Sequence, residues 1–248
     1  MPRKFFYVIS LLLIFFCSNI LAGETIKLAS LEWEPYIGPK MPDGGYVAEI
    51  MKEAFKRNEK TVLIDYLPWA RAVKMTKDGD YVGYMPEYYS EDLKKDFILS
   101  ISFPGGPLGF FKKKTTKISF KTLEDLKPYS IGVVRGYVNT AEFDAATYLK
   151  KDEAKDDLTN FKKLIVGRIE LIVCDKNVGE HLLKTELKES AGEVEFVEPA
   201  LENKDLYLCI SKSQQNGQKI IDEFNAAIKQ MTNDGTMQKI LDKHGIKK

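Results

Sequence analysis

Seven side chains stand out as able to do recognition chemistry. Trp33, Trp69, Tyr88 and Tyr137 follow apolar, strand-like runs, and each joins an apolar wall to a polar tip, as small-molecule pockets require. Arg71 and Arg135 carry planar guanidinium forks suited to a carboxylate or another anion. Arg71 opens a helix after a strand, and Arg135 ends a strand beside a helix start that favours anions. The competing roles are a salt bridge on the helix surface for Arg71 and a solvated loop charge for Arg135. Asp175 follows Leu171-Ile172-Val173-Cys174 directly. There it meets a cationic or hydrogen-bond-donating group, or it caps the next helix, since aspartate is a good N-cap. Glu34 and Glu87 also lie near strand ends, where pairing with a cation competes with plain hydration.

These residues do not compose a catalytic site. The chain has no Gly-x-Ser-x-Gly elbow, no metal-spaced His/Cys set and no phosphate-binding loop. His181 and His244 lie in charged, helical stretches and are expected at the surface. Cys174 and Cys209 sit inside apolar runs and read as buried thiols, because free cysteine behaves as a small hydrophobe. Binding is therefore expected, with no catalytic residue, no metal and no cofactor.

The ends and the charge bound the class. Met1-Pro2-Arg3-Lys4, the apolar run from Phe5 to Phe16 and Ile20-Leu21-Ala22 before Gly23 follow the order of a secretory signal peptide cleaved near Ala22. The apolar core falls short of the ~20 residues of a membrane span. The location expected is the periplasm. The chain of 248 residues carries 37 basic and 36 acidic side chains, and no basic stripe points to nucleic acid. A monomer with a small-molecule ligand is expected.

Periodicity supplies the elements that must position those side chains. Thr25–Ser30 alternates as a strand. In Tyr46–Asn58, Val47, Ile50, Met51, Ala54 and Phe55 fall at helical spacing. Lys60–Leu67 is a strand, Ala70–Lys77 a helix stopped by Asp78-Gly79, and Tyr81–Met85 a strand. That order implies parallel pairing with crossover helices. Phe103-Pro104-Gly105-Gly106-Pro107 interrupts it. The rhythm restarts with an extended Leu108–Lys112, strand Tyr129–Val134, helix Asn139–Leu149, a weaker helix over Asp156–Leu164, strand Ile169–Cys174, helix Asn177–Leu187 and strand Glu193–Val197. Pro199–Lys204 reads as a linker before an extended Leu206–Ser211. Helices Gly217–Asn233 and Thr236–His244 close the chain. The boundaries expected are a leader over 1–22, one lobe over 23–107 plus 205–248, and a second over 108–204.

Four stretches, in order, resemble the family 3 extracellular solute-binding proteins. These are Trp33-Glu34-Pro35-Tyr36 with Gly44-Gly45-Tyr46; Leu123-Glu124-Asp125-Leu126-Lys127 with Ile131-Gly132-Val133-Val134-Arg135-Gly136-Tyr137; Gly167-Arg168-Ile169-Glu170-Leu171 running to Asp175; and the closing Ile220–Lys243 segment. The resemblance implies an α/β, two-lobed, type II periplasmic-binding-protein-like fold, with a ligand cleft between lobes joined by two hinge strands. It implies capture of an amino-acid-like molecule or other small organic ion, for a membrane permease of an ABC transporter or for a sensor. A cyclohexadienyl-dehydratase-like enzyme on the same fold is the alternative. In that family an arginine and a second-lobe hydroxyl hold the ligand carboxylate. The matching positions here are Leu93 and Val138, while the ammonium-binding carboxylate is kept as Asp175. Leu67-Pro68-Trp69-Ala70-Arg71-Ala72 is similar to a motif of a divergent branch. The resemblance thus implies an altered site, with Asp175 for a cationic group, Arg71 or Arg135 for an anionic group, and Trp33 and Trp69 flanking the ligand.

Overall fold

Most strands in this chain are short apolar runs, and most helices bury one stripe of every turn. The computed structural model describes residues 24–246; the leader segment and its cleavage point near Ala22 lie outside the described residues. In chain order the elements are β1 (Thr25–Ser30), α1 (Tyr46–Lys56), β2 (Thr61–Tyr66), α2 (Trp69–Asp78), β3 (Gly83–Glu87), β4 (Phe97–Leu99), β5 (Phe103–Lys113), β6 (Ser130–Val134), α3 (Ala141–Ala145), β7 (Lys150–Ala154), α4 (Asp157–Ile165), β8 (Leu171–Asp175), α5 (Lys176–Thr185), β9 (Val194–Ser211), α6 (Gly217–Asn233) and α7 (Thr236–Lys243).

The strands run in the order β2-β1-β3-β9-β5-β8-β6-β7, with β4 also paired to β9. β1 lies parallel to β2 and β3, and β6 lies parallel to β7 and β8. These are two parallel α/β units. Between them run the long antiparallel partners β5 and β9, with Gly106 opposite Lys204 and Lys113 opposite Val194. The far end of β9 leaves β5 and pairs with β3 and β4, Tyr84 facing Cys209 and Phe97 facing Ser211. The molecule is therefore two lobes joined by two continuous strands.

Three stretches differ from the pattern read in the sequence. The Pro/Gly cluster at 103–107 is not a break but the start of β5, with a register shift between Phe103 and Gly106 that absorbs it. Pro199–Lys204 is not a linker but the middle of β9, because β5 supplies a partner along that stretch. The helix expected over Asn139–Leu149 is only Ala141–Ala145, capped by the Thr140 side chain, and gives way to β7. Lys150–Ala154 hid from a hydropathy reading because only Ala154 is buried. It is the outermost strand, fixed by backbone pairing to β6.

The last two helices return to the first lobe. Phe224 of α6 is fully buried against Phe55 of α1, ring centroids 5.6 Å apart. The Ile101 N–H donates to Asn225 Oδ1 at 2.8 Å, and Arg57 pairs with Asp234 at 2.7 Å. The chain thus crosses between the lobes twice, once on β5 and once on β9. Cys174 and Cys209 are both buried free thiols.

This packing predicts that Phe224→Ala costs about 3–5 kcal/mol, the usual range for deleting a buried ring. Urea unfolding of the variant measures it; a loss below about 1 kcal/mol would mean that α6 does not seal the first lobe.

Candidate functional site

The two parallel sheets present the carboxyl ends of their strands to each other, where open α/β sheets bind ligands. β1 leads into the Leu31–Pro35 turn, β2 into α2, β6 into the Arg135–Asn139 loop, and β8 into α5. Between them lies a cleft of about 530 Å3, within the size range of small-molecule sites. Trp33, Leu67 and Trp69 line it from the first lobe, and Tyr137, Asp157 and Val178 from the second. A smaller cavity lies deeper, bounded by Leu31, Trp33, Trp69, Glu87, Tyr88, Tyr137 and Val138. Its volume is about 20 Å3, room for about one water molecule.

Direct contacts hold the lobes together at the inner end. Asp175 is buried at the close of β8 and caps α5, Oδ1 accepting from the N–H groups of Asn177 at 2.8 Å and Val178 at 3.1 Å. Two tyrosines of the other lobe donate to the same carboxylate: Tyr36 lies 2.9 Å and Tyr88 2.9 Å from Oδ2. Asn177 Nδ2 donates to the Tyr36 hydroxyl at 2.8 Å. An ionised carboxylate has about four acceptor sites, and these four donors fill them. Gly106 of β5 permits the arrangement: a Cβ there would lie 2.1 Å from the Tyr36 oxygen and 3.0 Å from Asp175 Oδ2. Further out, the Trp69 indole donates to the Gly136 carbonyl across the cleft at 3.1 Å, and His181 meets Glu34 at 3.1 Å.

The structure brings Trp33, Trp69 and Tyr137 together on the cleft, with Trp69 and Tyr137 edge to face at 6.0 Å. Tyr88 lines the inner cavity instead. Asp175 borders neither space and acts as helix cap and interlobe tie. The two arginines do not reach the site. Arg71 is exposed on the outer face of α2, and Arg135 is 67% exposed and pairs with Glu153 at 2.9 Å. Both strand ends lie at the cleft, but the side chains turn to solvent, the outcome the sequence left open. Leu93 sits half-buried in a short 3-10 turn, and Val138 lines the inner cavity. The histidines are less exposed than expected: His181 bridges the lobes, and the His244 side chain is 6% exposed against Glu49.

Two buried acids escaped the sequence reading in different ways. Glu87, a possible hydrated carboxylate, is only 4% exposed. Its oxygens accept from the Tyr88 N–H at 2.8 Å and the Tyr84 hydroxyl at 3.1 Å. Burial pushes its pKa from 4.5 up to about 8, against the pull of those donors. Asp157 was not singled out at all. Asp156 before it caps α4, which places Asp157 at the first helical position with its carboxylate on the cleft. It is buried and accepts from Tyr137 at 3.2 Å, and burial pushes its pKa up to about 6. The signal available was the Asp156-Asp157 pair before a helix, but such pairs also cap helices on open surfaces. The cleft as a whole is acidic. Glu32, Glu34, Asp156, Asp157 and Glu186 border it, against Lys40 and Lys155, and no arginine does among the described residues.

No protein-family profile matches the chain, and no curated protein does. Solved structures do. An ancestral arginine-binding protein bound to arginine is 22% identical, with a TM-score of 0.75, over 90% of this chain and 98% of that one. The substrate-binding protein of an amino acid ABC transporter is 19% identical, with a TM-score of 0.73, over 88% and 98%. A histidine kinase sensor domain similar to periplasmic binding proteins is 14% identical, with a TM-score of 0.78, over 90% and 96%. The chain has their two-lobed, type II periplasmic-binding-protein-like fold.

The burial of Glu87 has a signed consequence. A carboxyl held protonated in the folded state has no effect on stability below its unfolded pKa, then costs stability as pH rises through the folded pKa. Between pH 4.5 and 8 the protein therefore loses stability at this site, about 1.4 kcal/mol for each tenfold change in the protonation constant. Glu87→Gln keeps the acceptor for the Tyr88 N–H and removes the loss. Urea unfolding at pH 5 and pH 9 should show the variant gaining a few kcal/mol on the parent at the higher pH; parallel pH profiles would place Glu87 in contact with solvent.

Proposed function

We propose that this chain is an exported solute-binding protein that captures a small polar organic molecule between its lobes. The observation that carries the reading is the cleft itself: about 530 Å3 at the facing strand ends of two lobes, walled by Trp33, Trp69 and Tyr137 and bordered by charged groups. Aromatic walls with a few placed polar groups are what a small-molecule site needs. Among the described residues the chain passes between the lobes only on two antiparallel strands, so rotation about β5 and β9, once the side-chain contacts between the lobes part, opens and closes the space, a hinge of known kind. Capture requires no chemical step.

Export rests on the N-terminal pattern of basic, apolar and small residues, which leads to a periplasmic location. No helix among the described residues is long and apolar enough to cross a membrane. Proteins of the same fold include the substrate-binding protein of an amino acid ABC transporter and the sensor domain of a histidine kinase. The loaded protein is accordingly read as a monomer that presents its ligand to a membrane permease or a sensor. The ligand is amino-acid-like or another small organic ion.

A thermal-shift screen against amino acids, amines, carboxylates and small peptides tests this. A ligand that binds only the folded state at 100 times its Kd adds about 2.7 kcal/mol, worth roughly 5–10 °C in a domain of this size. At least one class should give such a shift. A flat response across all four, repeated by calorimetry, would contradict the reading.

A further inference from the structure

The acidic balance of the cleft does not by itself make a site, because exposed carboxylates are ordinary surface. Three features set one corner apart. The first is saturation next door. Asp175, the carboxylate that the strand pattern offered for a cationic group, has its acceptor sites filled by Tyr36, Tyr88 and two backbone N–H groups. It has no lone pair left for a ligand unless the lobes part. The second is Asp157, buried yet bordering the cleft, where the Tyr137 hydroxyl donates to it at 3.2 Å and the Cys174 thiol and Trp33 indole lie near enough to favour its charged form. A buried carboxylate with unused acceptor capacity is costly, and a cation relieves that cost. The third is Trp33. Its indole N–H is buried without a hydrogen-bond partner among the described residues, and its side chain, 7% exposed, lines both the cleft and the inner cavity. That N–H meets no acceptor in good hydrogen-bonding geometry. It is a second unmet polar demand in the same corner, one for an oxygen acceptor on the same ligand.

We infer that Asp157, Trp33, Trp69 and Tyr137 form a cation subsite that takes the ammonium group of an organic amine. Asp157 supplies the counter-charge, and the rings supply the electron-rich faces that attract cations. Tyr137 orients the carboxylate, since its hydroxyl donates to Oδ2. Among the described residues no arginine borders the cleft, which fits the same class: nothing there offers the bidentate fork that a carboxylate ligand wants, and Lys155 already lies 3.6 Å from Asp156. The subsite rests on the solute-binding reading and narrows it. Charge at Asp157 selects the ligand, while Asp175 ties the lobes.

The test uses the purified full chain and three five-carbon probes of equal reach: 1,5-diaminopentane, 5-aminopentanoate and glutarate. Titration calorimetry should show that the two amine-bearing probes bind and glutarate does not. Asp157→Asn should weaken both by roughly 10- to 100-fold, the worth of a hydrogen bond to a charged group, while exposed Arg71→Ala leaves them unchanged. If Asp157→Asn fails to fold, Tyr137→Phe replaces it and should weaken the amines several-fold. Preferential binding of glutarate, or amine binding untouched by these variants, would overturn the subsite and leave the solute-binding reading standing. If no probe binds, and the broader four-class screen is also flat, both fall.

Discussion

One carboxylate holds the molecule's two halves in register. Asp175 ends β8, caps α5 and receives hydroxyl groups from Tyr36 and Tyr88 on the opposite lobe. Each of those roles alone is ordinary. Together they require three chain segments, distant in sequence, to meet within hydrogen-bonding distance, and the hinge strand must pass beside them without a side chain. Gly106 meets that requirement, since any Cβ there would overlap the Tyr36 hydroxyl. The burial of Tyr36, Tyr88 and Asp175 then makes the tie mutual. Remove one donor and a buried carboxylate is left short of partners, which costs more than the lost hydrogen bond.

From that tie the rest of the site follows. With Asp175 satisfied, the inner end of the cleft is shut except for a space of about one water molecule. What stays open lies further out, between the Trp33 turn, the start of α2 and the start of α4. The walls there are aromatic, and the charge is negative. Glu87, on the closed side, is kept neutral by burial near neutral pH, so it does not add to that charge. The closed corner fixes the approach of the lobes, and the open, acidic corner is the one we propose for the ligand.

Much of this was legible in the residues, and the parts that were not have physical reasons. The α/β rhythm showed the helices and most strands, because those elements bury one face and repeat at 3.6 or 2 residues. The strand ends were legible too, which is why Trp33, Trp69 and Tyr137 were named and stand on the cleft. β7 was not, since Lys150–Ala154 is polar and its place in the sheet is set by backbone pairing to β6 rather than by a buried face. β9 read as two strands and a linker because Pro199 is a breaker on most backbones, yet here β5 flanks it throughout. Side-chain direction was the larger gap. Arg71 near the start of α2 and Arg135 on the loop after β6 turn outward, and Asp157 at the start of α4 turns in. Nothing in residue type or spacing distinguishes those cases; only packing does.

The central claim, that direct side-chain contacts at Asp175 hold the lobes together, is open to a distance measurement. Spin labels at Lys40→Cys, on the first-lobe side of the cleft, and Lys184→Cys, exposed on α5, would report the opening by pulsed electron resonance. Cys174 and Cys209 are buried and so label poorly. Without added ligand, the parent should show one narrow, short distance, and Tyr36→Phe combined with Tyr88→Phe should shift the distribution to longer distances. A parent distribution already broad and long, unchanged by removing both hydroxyls, would contradict the account.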